Sequence, residues 1–229
     1  MFVAIASNVL KKLTFISMMV LMFISTLSFT TNIRKIEEQN ESLTEIADYV
    51  KAFQSELKVD SVRTAALKKI TRIMCQYNQD LSANEKHSIA NEIYNMSVKY
   101  DNLDVDLICA TITHESARTW QPDVTSPAGA MGLMQVMPHT ASFLSKHEGI
   151  EWTSPETVLY NPIYNIRMGC RYLSMLIELY NVDGGLAAYN GGERRAAQWL
   201  ASGRNDEVLF EETRGYIPAV LKLYDTFKD

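Results

Sequence analysis

The 229 residues carry 22 lysines and arginines against 27 aspartates and glutamates, a net charge of −5, with 47% hydrophobic and 21% charged side chains. That balance, with no Lys/Arg stripe interleaved with aromatics, excludes an electrostatic nucleic-acid binder. The length suffices for one good core plus an extension, and three cysteines do not make a disulfide framework.

Lys11 and Lys12 precede an uncharged apolar run that begins at Leu13 and ends at Phe29. No polar face interrupts it, which disfavours a soluble buried helix and leaves a signal-peptide core or a short membrane span. The run exceeds the usual signal core of roughly 7–15 residues, and Thr26 and Ser28 substitute poorly for the small residues of a cleavage site. An uncleaved anchor over residues 1–32 is therefore expected, with Lys11 and Lys12 inside and the rest outside. Arg34 and Lys35, just beyond the run, oppose that orientation. Cleavage, leaving a soluble periplasmic chain, is the alternative.

Residues 33–81 read as a charged helical stem. Leu43, Ile46, Val50, Phe53 and Leu57 repeat at three-four spacing, with Ile36 one heptad earlier. Such a stripe is either a coiled-coil seam over 36–57, through which the chain meets itself or a partner helix, or a face that packs on the body. Asp60-Ser61 predicts the start of a second helix carrying Val62, Ala66, Ile70 and Ile73. Ser82 predicts the cap of a third, with Ile89, Ile93, Met96 and Tyr100 along one face. The main domain is expected over 82–229.

An apolar helical run then extends from Val105 to Ser116, with Glu115 at its end, followed by a loop rich in Gly, Pro and Ser. A carboxylate at the end of an apolar helix loses solvation and meets the negative end of the helix dipole. Both effects favour the proton that a general acid must hold near neutral pH. The plainer alternative is a solvated Glu in a frayed last turn. His114-Glu115 opens like a metalloprotease motif, but Arg118 stands where the second histidine would be.

Pro138 marks a helix start, and Ser154-Pro155-Glu156 pairs a cap with a first-turn proline. A helix over 162–180 places Ile166, Gly169, Leu173 and Leu176 on one side, with Gly169 admitting a neighbouring helix. Gly184-Gly185 predicts a break, Glu193 to Ser202 a short helix stopped by Gly203, and residues 213–227 a last helix. A short hairpin between Trp120 and Gln135 is the one sheet expected. Cys109 and Cys170 read as buried thiols, with a bridge between them left open.

Four motifs follow one another after Glu115. They are Ser126-Pro127-Ala128-Gly129-Ala130-Met131-Gly132-Leu133-Met134-Gln135-Val136-Met137-Pro138, Asn165-Ile166-Arg167-Met168-Gly169, Ala187-Ala188-Tyr189-Asn190-Gly191-Gly192 and Glu212-Thr213-Arg214-Gly215-Tyr216. In order and spacing they resemble the soluble-lytic-transglycosylase-type domains, over about residues 103–227. The resemblance implies a mainly α, lysozyme-like domain that cleaves peptidoglycan, preceded here by the stem and the N-terminal apolar helix. Where that family often has an aromatic residue after Glu-Ser, this chain has Ala117-Arg118, with Trp120 slightly later.

The resemblance makes Glu115 the single catalytic acid, acting first as acid and then as base to leave 1,6-anhydromuramyl ends, without metal or organic cofactor. It implies substrate-binding positions at Ser126, Gly132, Met134, Gln135, Tyr189, Asn190, Glu212 and Tyr216. Met134 would offer a polarisable face to a sugar and Gln135 an amide to an N-acetyl group. Core packing is the plain reading for Met134 and Tyr189, and a helix N-terminal charge for Glu212. Peptidoglycan strands would be the partner and the cell envelope the location. A goose-type-lysozyme-like hydrolase and a non-catalytic peptidoglycan-binding or assembly protein are the alternatives.

Overall fold

Helices account for every regular element, in a computed structural model that describes residues 2–228 and the side chains from residue 14 onward except Ile36 and Glu38. Lys11, Lys12, Leu13 and Ile36, on which parts of the sequence reading rest, lie outside the residues whose side chains are described. The helices are α1 (Phe2–Tyr77), α2 (Ala83–Lys99), α3 (Val105–Glu115), α4 (Pro138–Ser145), α5 (Pro155–Leu159), α6 (Pro162–Gly191), α7 (Glu193–Ala201) and α8 (Glu211–Lys228), with a 3-10 turn at Asp206–Val208. The expected hairpin reduces to two isolated antiparallel bridges, Thr125 with Met131 and Met131 with Val136. The architecture is thus the mainly α one expected.

Two compact units divide the chain, Met1–Asp60 and Ser61–Asp229. In the first, α1 is apolar enough from Thr14 onward to cross a membrane by length and composition. In the second, the last turns of α1 join the core: Ile70, Ile73 and Met74 are buried, and Lys69 pairs with Asp106 at 2.8 Å. Two expectations change here. α1 runs through Asp60-Ser61 without a new cap, because a capping side chain acts only where helical N–H groups are unsatisfied, and inside a helix they are not. Residues 61–81, read as stem, supply core side chains to the second unit, because Ile70, Ile73 and Met74 form an apolar face that finds neighbours there.

Local signals hold well elsewhere in that unit. Ser82 and Glu85 form a reciprocal capping box at the start of α2. Asp104 caps α3 through the Leu107 amide at 2.8 Å. α3 is buried all round from Leu107 to Thr113, and it packs against α2 and α8. Thr111 and Thr113 survive there because each hydroxyl donates to a carbonyl one turn back, Leu107 O and Cys109 O. α6 packs on α2, α4, α5, α7 and α8. Its break comes at Asn181, with φ 61° and ψ −179°, not at Gly184-Gly185. Those glycines lie in the second helical half, where a Cβ on Gly185 would come within 2.9 Å of the Ile177 backbone. They permit close packing across the kink. Cys109 and Cys170 are buried free thiols.

Candidate active site

Glu115 ends α3 as the apolar run predicts, and there the chain turns sharply. Ser116 donates its amide to Ile112 O and Arg118 its amide to Thr113 O, with Ala117 and Arg118 at φ 50° and 64°. Trp120 fills the space beneath this turn. It is fully buried, its indole N–H donates to Thr113 Oγ1 at 3.0 Å, and its carbonyl accepts from Asn78 Nδ2. Although Ala117 and Arg118 follow Glu115-Ser116 directly, the turn rests on a buried ring.

The Glu115 carboxylate accepts a hydrogen bond from the Tyr216 hydroxyl at 2.7 Å, from α8. Burial pushes the Glu115 pKa up to about 7; the Tyr216 hydrogen bond opposes the rise and the charge of Glu212 adds to it. Tyr216 and Tyr189 are held well above the ordinary tyrosine range, first by burial and then by the negative charge of Glu115. Both therefore remain donors. His114 lies edge-on to the Tyr216 ring at 4.8 Å between centroids and is pushed below its ordinary value by burial.

The Gly-Leu-Met-Gln segment is held by one buried side chain that the sequence reading did not single out. Asn165, on α6, donates Nδ2 to Met131 O at 2.8 Å and Leu159 O at 3.0 Å, and its Oδ1 accepts from the Met134 amide at 2.7 Å. Gly132 sits against this amide at φ 78°, and a Cβ there would collide with Asn165 and the Leu159 carbonyl. Glycine is required at that position both for its left-handed backbone and for the lack of a side chain. Gln135, at φ 47°, turns its Nε2 back onto Gly132 O and Val124 O at 2.8 and 3.2 Å.

Met134 is the clearest correction. Its side chain is wholly buried against Cys170, 3.7 Å between sulfurs, and a Cβ on Gly169 would meet its Sδ at 2.6 Å. It cannot present a face to a sugar, because α6 and the loop close over it. Gly169 accordingly admits Met134 and not a neighbouring helix. The Met134 carbonyl accepts from the Tyr189 hydroxyl at 2.7 Å, so this residue fixes the wall of the cleft from behind.

A cleft of about 290 Å³ runs beside this segment, lined by Gln135, Met137 and Thr140 from the loop and the start of α4 and by Tyr172, Tyr189 and Asn190 from α6. Met137 and Tyr172 were not among the sequence-predicted positions. Met137 occupies the place expected of Met134: it is partly exposed at the entry to α4. Tyr172 stacks at a tilt on Tyr189, 5.5 Å between centroids. Asn190 accepts from Thr213 Oγ1 at 2.7 Å and donates to Glu212 Oε1 at 3.4 Å, which ties the cleft wall to the start of α8. Ser126 is engaged in its own turn, accepting from the Ala130 amide at 3.0 Å. The structure therefore brings together Glu115 and Tyr216, and separately gathers Gln135, Tyr189 and Asn190 on one cleft, with Glu212 exposed at its rim.

A family model for the Transglycosylase SLT domain matches residues 92–208. The soluble lytic murein transglycosylase of Escherichia coli strain K12 is 36% identical over 147 residues, which cover 60% of this chain and 22% of that protein. The membrane-bound lytic murein transglycosylase C of Shigella sonnei is 34% identical over 133 residues, 53% of this chain and 35% of that one. Among solved structures, an inactive glutamate-to-glutamine variant of the lytic transglycosylase Slt from Pseudomonas aeruginosa is similar with a TM-score of 0.52 at 34% identity, over 61% of this chain and 23% of that one. The chain thus spans less than a quarter of the length of the soluble relatives. The matched stretch holds Glu115, the Asn165-braced segment and the Tyr189 wall in one register, and it covers just over half of the sequence. The chain belongs to the transglycosylase SLT domain family.

Proposed function

We propose that the chain is a peptidoglycan lytic transglycosylase, cleaving the β-1,4 bond between N-acetylmuramic acid and N-acetylglucosamine and leaving 1,6-anhydromuramyl ends. The observation that carries this reading is the Glu115 carboxyl, raised to about 7 by burial and held by the Tyr216 hydroxyl. A carboxyl so placed keeps a proton at neutral pH and is still a usable base once it has lost it. Glu115 gives its proton to the glycosidic oxygen as the C1–O bond breaks, and the oxocarbenium-like centre draws help from the substrate's own N-acetyl group. The resulting carboxylate, steadied by Tyr216, removes the proton from the muramyl C6 hydroxyl. O6 bonds to C1, the ring closes, and Glu115 is protonated again with no water consumed.

The cleft residues divide the rest of the work. With its Nε2 bound to backbone carbonyls, Gln135 offers its amide oxygen to an N-acetyl N–H. Tyr189, Tyr172 and Met137 give apolar surface to sugar faces, and Asn190 and Glu212 meet hydroxyls at the rim. Ser126 and Gly132 act through the shape of the loop. The apolar stretch of α1 anchors the chain in the inner membrane with the SLT domain in the periplasm; its large side chains, among them Phe15, Met19, Leu21, Phe23 and Leu27, are exposed, as a lipid-facing segment requires.

The test is digestion of isolated peptidoglycan by the full chain, read by mass. Ends lighter by one water than reducing ends are expected. Reducing ends alone move the assignment to a goose-type-lysozyme-like hydrolase. Glu115→Gln should lower turnover by about 10²–10⁴-fold while still sedimenting with peptidoglycan, and full activity in that variant overturns the catalytic role.

A further inference from the structure

We infer that the stretch of α1 from Leu43 to Leu57 is a parallel, in-register docking surface for a second copy of this chain. Leu43, Val50 and Leu57 occupy one seam position of a heptad and Ile46 and Phe53 the other, and all five are between 48% and 63% exposed. Five large apolar side chains in one line are what a helix partner covers.

The charge pattern selects the occupant. Residues flanking the seam are Ser42, Ala47, Tyr49, Gln54 and Glu56, of which Glu56, at the end of the stripe, is the one charged side chain. In a parallel pair these place Ser42 beside Ala47 of the other copy, Tyr49 beside Gln54 and Glu56 beside Ser61. No like charges meet, so the face is complementary to itself. Glu41, Glu45, Asp48 and Lys51 all lie on the far side of the helix. A partner of different sequence recognised by charge would need charged flanks along the whole stripe, which specify heterologous pairing, and here four of the five flanks are neutral.

Parallel orientation follows from the apolar segment that precedes the stripe on the same helix, and this part of the inference rests on the anchor reading above. Two copies held in one membrane send their helices out in the same direction. Two heptads make a weak seam alone, and confinement to one membrane raises the effective concentration that drives the pairing.

The test uses the full chain in native membranes, with Cys75→Ser so that the remaining native thiols, Cys109 and Cys170, are buried. Single cysteines are introduced as Leu43→Cys, Leu57→Cys and Asp48→Cys, and disulfides are formed with a mild copper oxidant. Leu43→Cys and Leu57→Cys should each give a cross-linked dimer, at least ten times the yield of Asp48→Cys. Adding Val50→Asp to Leu43→Cys should abolish the dimer. Equal yields at the three positions, or no dimer at any, overturn the proposal. A dimer found only when Leu43→Cys and Leu57→Cys chains are mixed shows antiparallel pairing and overturns it too. The mass of the mature N-terminus reads the anchor separately, and Glu115→Gln should leave cross-linking unchanged, so failure of this inference is distinguishable from failure of the enzymatic reading.

Discussion

Glu115 is held by its surroundings in a state that costs the fold free energy. Its pKa in the folded chain, about 7, stands above the ordinary 4.5, so the native state keeps a proton that the unfolded chain releases between those values. This contribution to stability is complete below pH 4.5 and is lost as pH rises through 7. The shift corresponds to about 3 kcal/mol. Glu115→Gln removes the ionisation, so it should raise the melting temperature at pH 8 relative to the native chain and change it little at pH 4.5. Thermal unfolding at both pH values checks this, and an equal change at both would refute the linkage.

Tyr216 acts on the same proton. Its hydrogen bond lowers the Glu115 pKa against the effect of burial, so Tyr216→Phe should move that pKa further up. On the proposed mechanism, the alkaline limb of kcat/KM lies near pH 7 in the native chain and shifts to higher pH in the variant. Turnover should also fall, by roughly 10–100-fold, since a hydrogen bond to a charged group contributes about 1.5–3 kcal/mol. A pH–rate profile measures both. An unchanged limb would mean that Tyr216 only packs.

Among the elements, the loop between α3 and α4 depends on a helix that follows it in the chain. Asn165 satisfies the Met134 amide and the carbonyls of Met131 and Leu159 from α6. Asn165→Ala leaves those groups buried and unpaired, at a cost of about 3 kcal/mol or more. The melting temperature should drop by roughly 10 °C with helical content kept by circular dichroism, and turnover should fall because the Gln135 and Tyr189 sides of the cleft lose their register. A variant with native stability would show that the loop holds its own shape.

In the molecule as a whole, the fold begins before the family resemblance does. The unit starting at Ser61 includes Ile70, Ile73 and Met74 as core side chains. A chain of residues 61–229 should therefore fold and digest peptidoglycan. One of residues 82–229 loses three buried large side chains, each worth about 2–5 kcal/mol in a core, and should fail to give a cooperative thermal transition. Comparing the two by calorimetry decides where the domain begins. At the other end of α1, a mature chain whose mass retains Met1, or the residue after it, is expected from the anchor; a chain beginning at Phe29 would leave a soluble enzyme.

The sequence by itself determined what short-range physics controls. Ser82 with Glu85, Asp104 before an apolar run, and Ser154-Pro155 each mark a helix start through bonds within a turn, and the mainly apolar run from Leu107 to Ile112 placed Glu115 at the edge of a buried helix. Tertiary structure decided which side chains face inward where no periodicity operates. In the loop, the left-handed backbone at Gly132 and Gln135 breaks any alternation, so Met134 turns into the core and Met137 lines the cleft although the two are three residues apart. The partner of Glu115 lies 101 residues away, and Asn165 shows its role only when the Met131 and Leu159 carbonyls come beside it. The same rule governed α1. Its apolar residues at 70, 73 and 74 carry the same kind of stripe as those at 43–57, and only the tertiary neighbours in the second unit turn the later part into core.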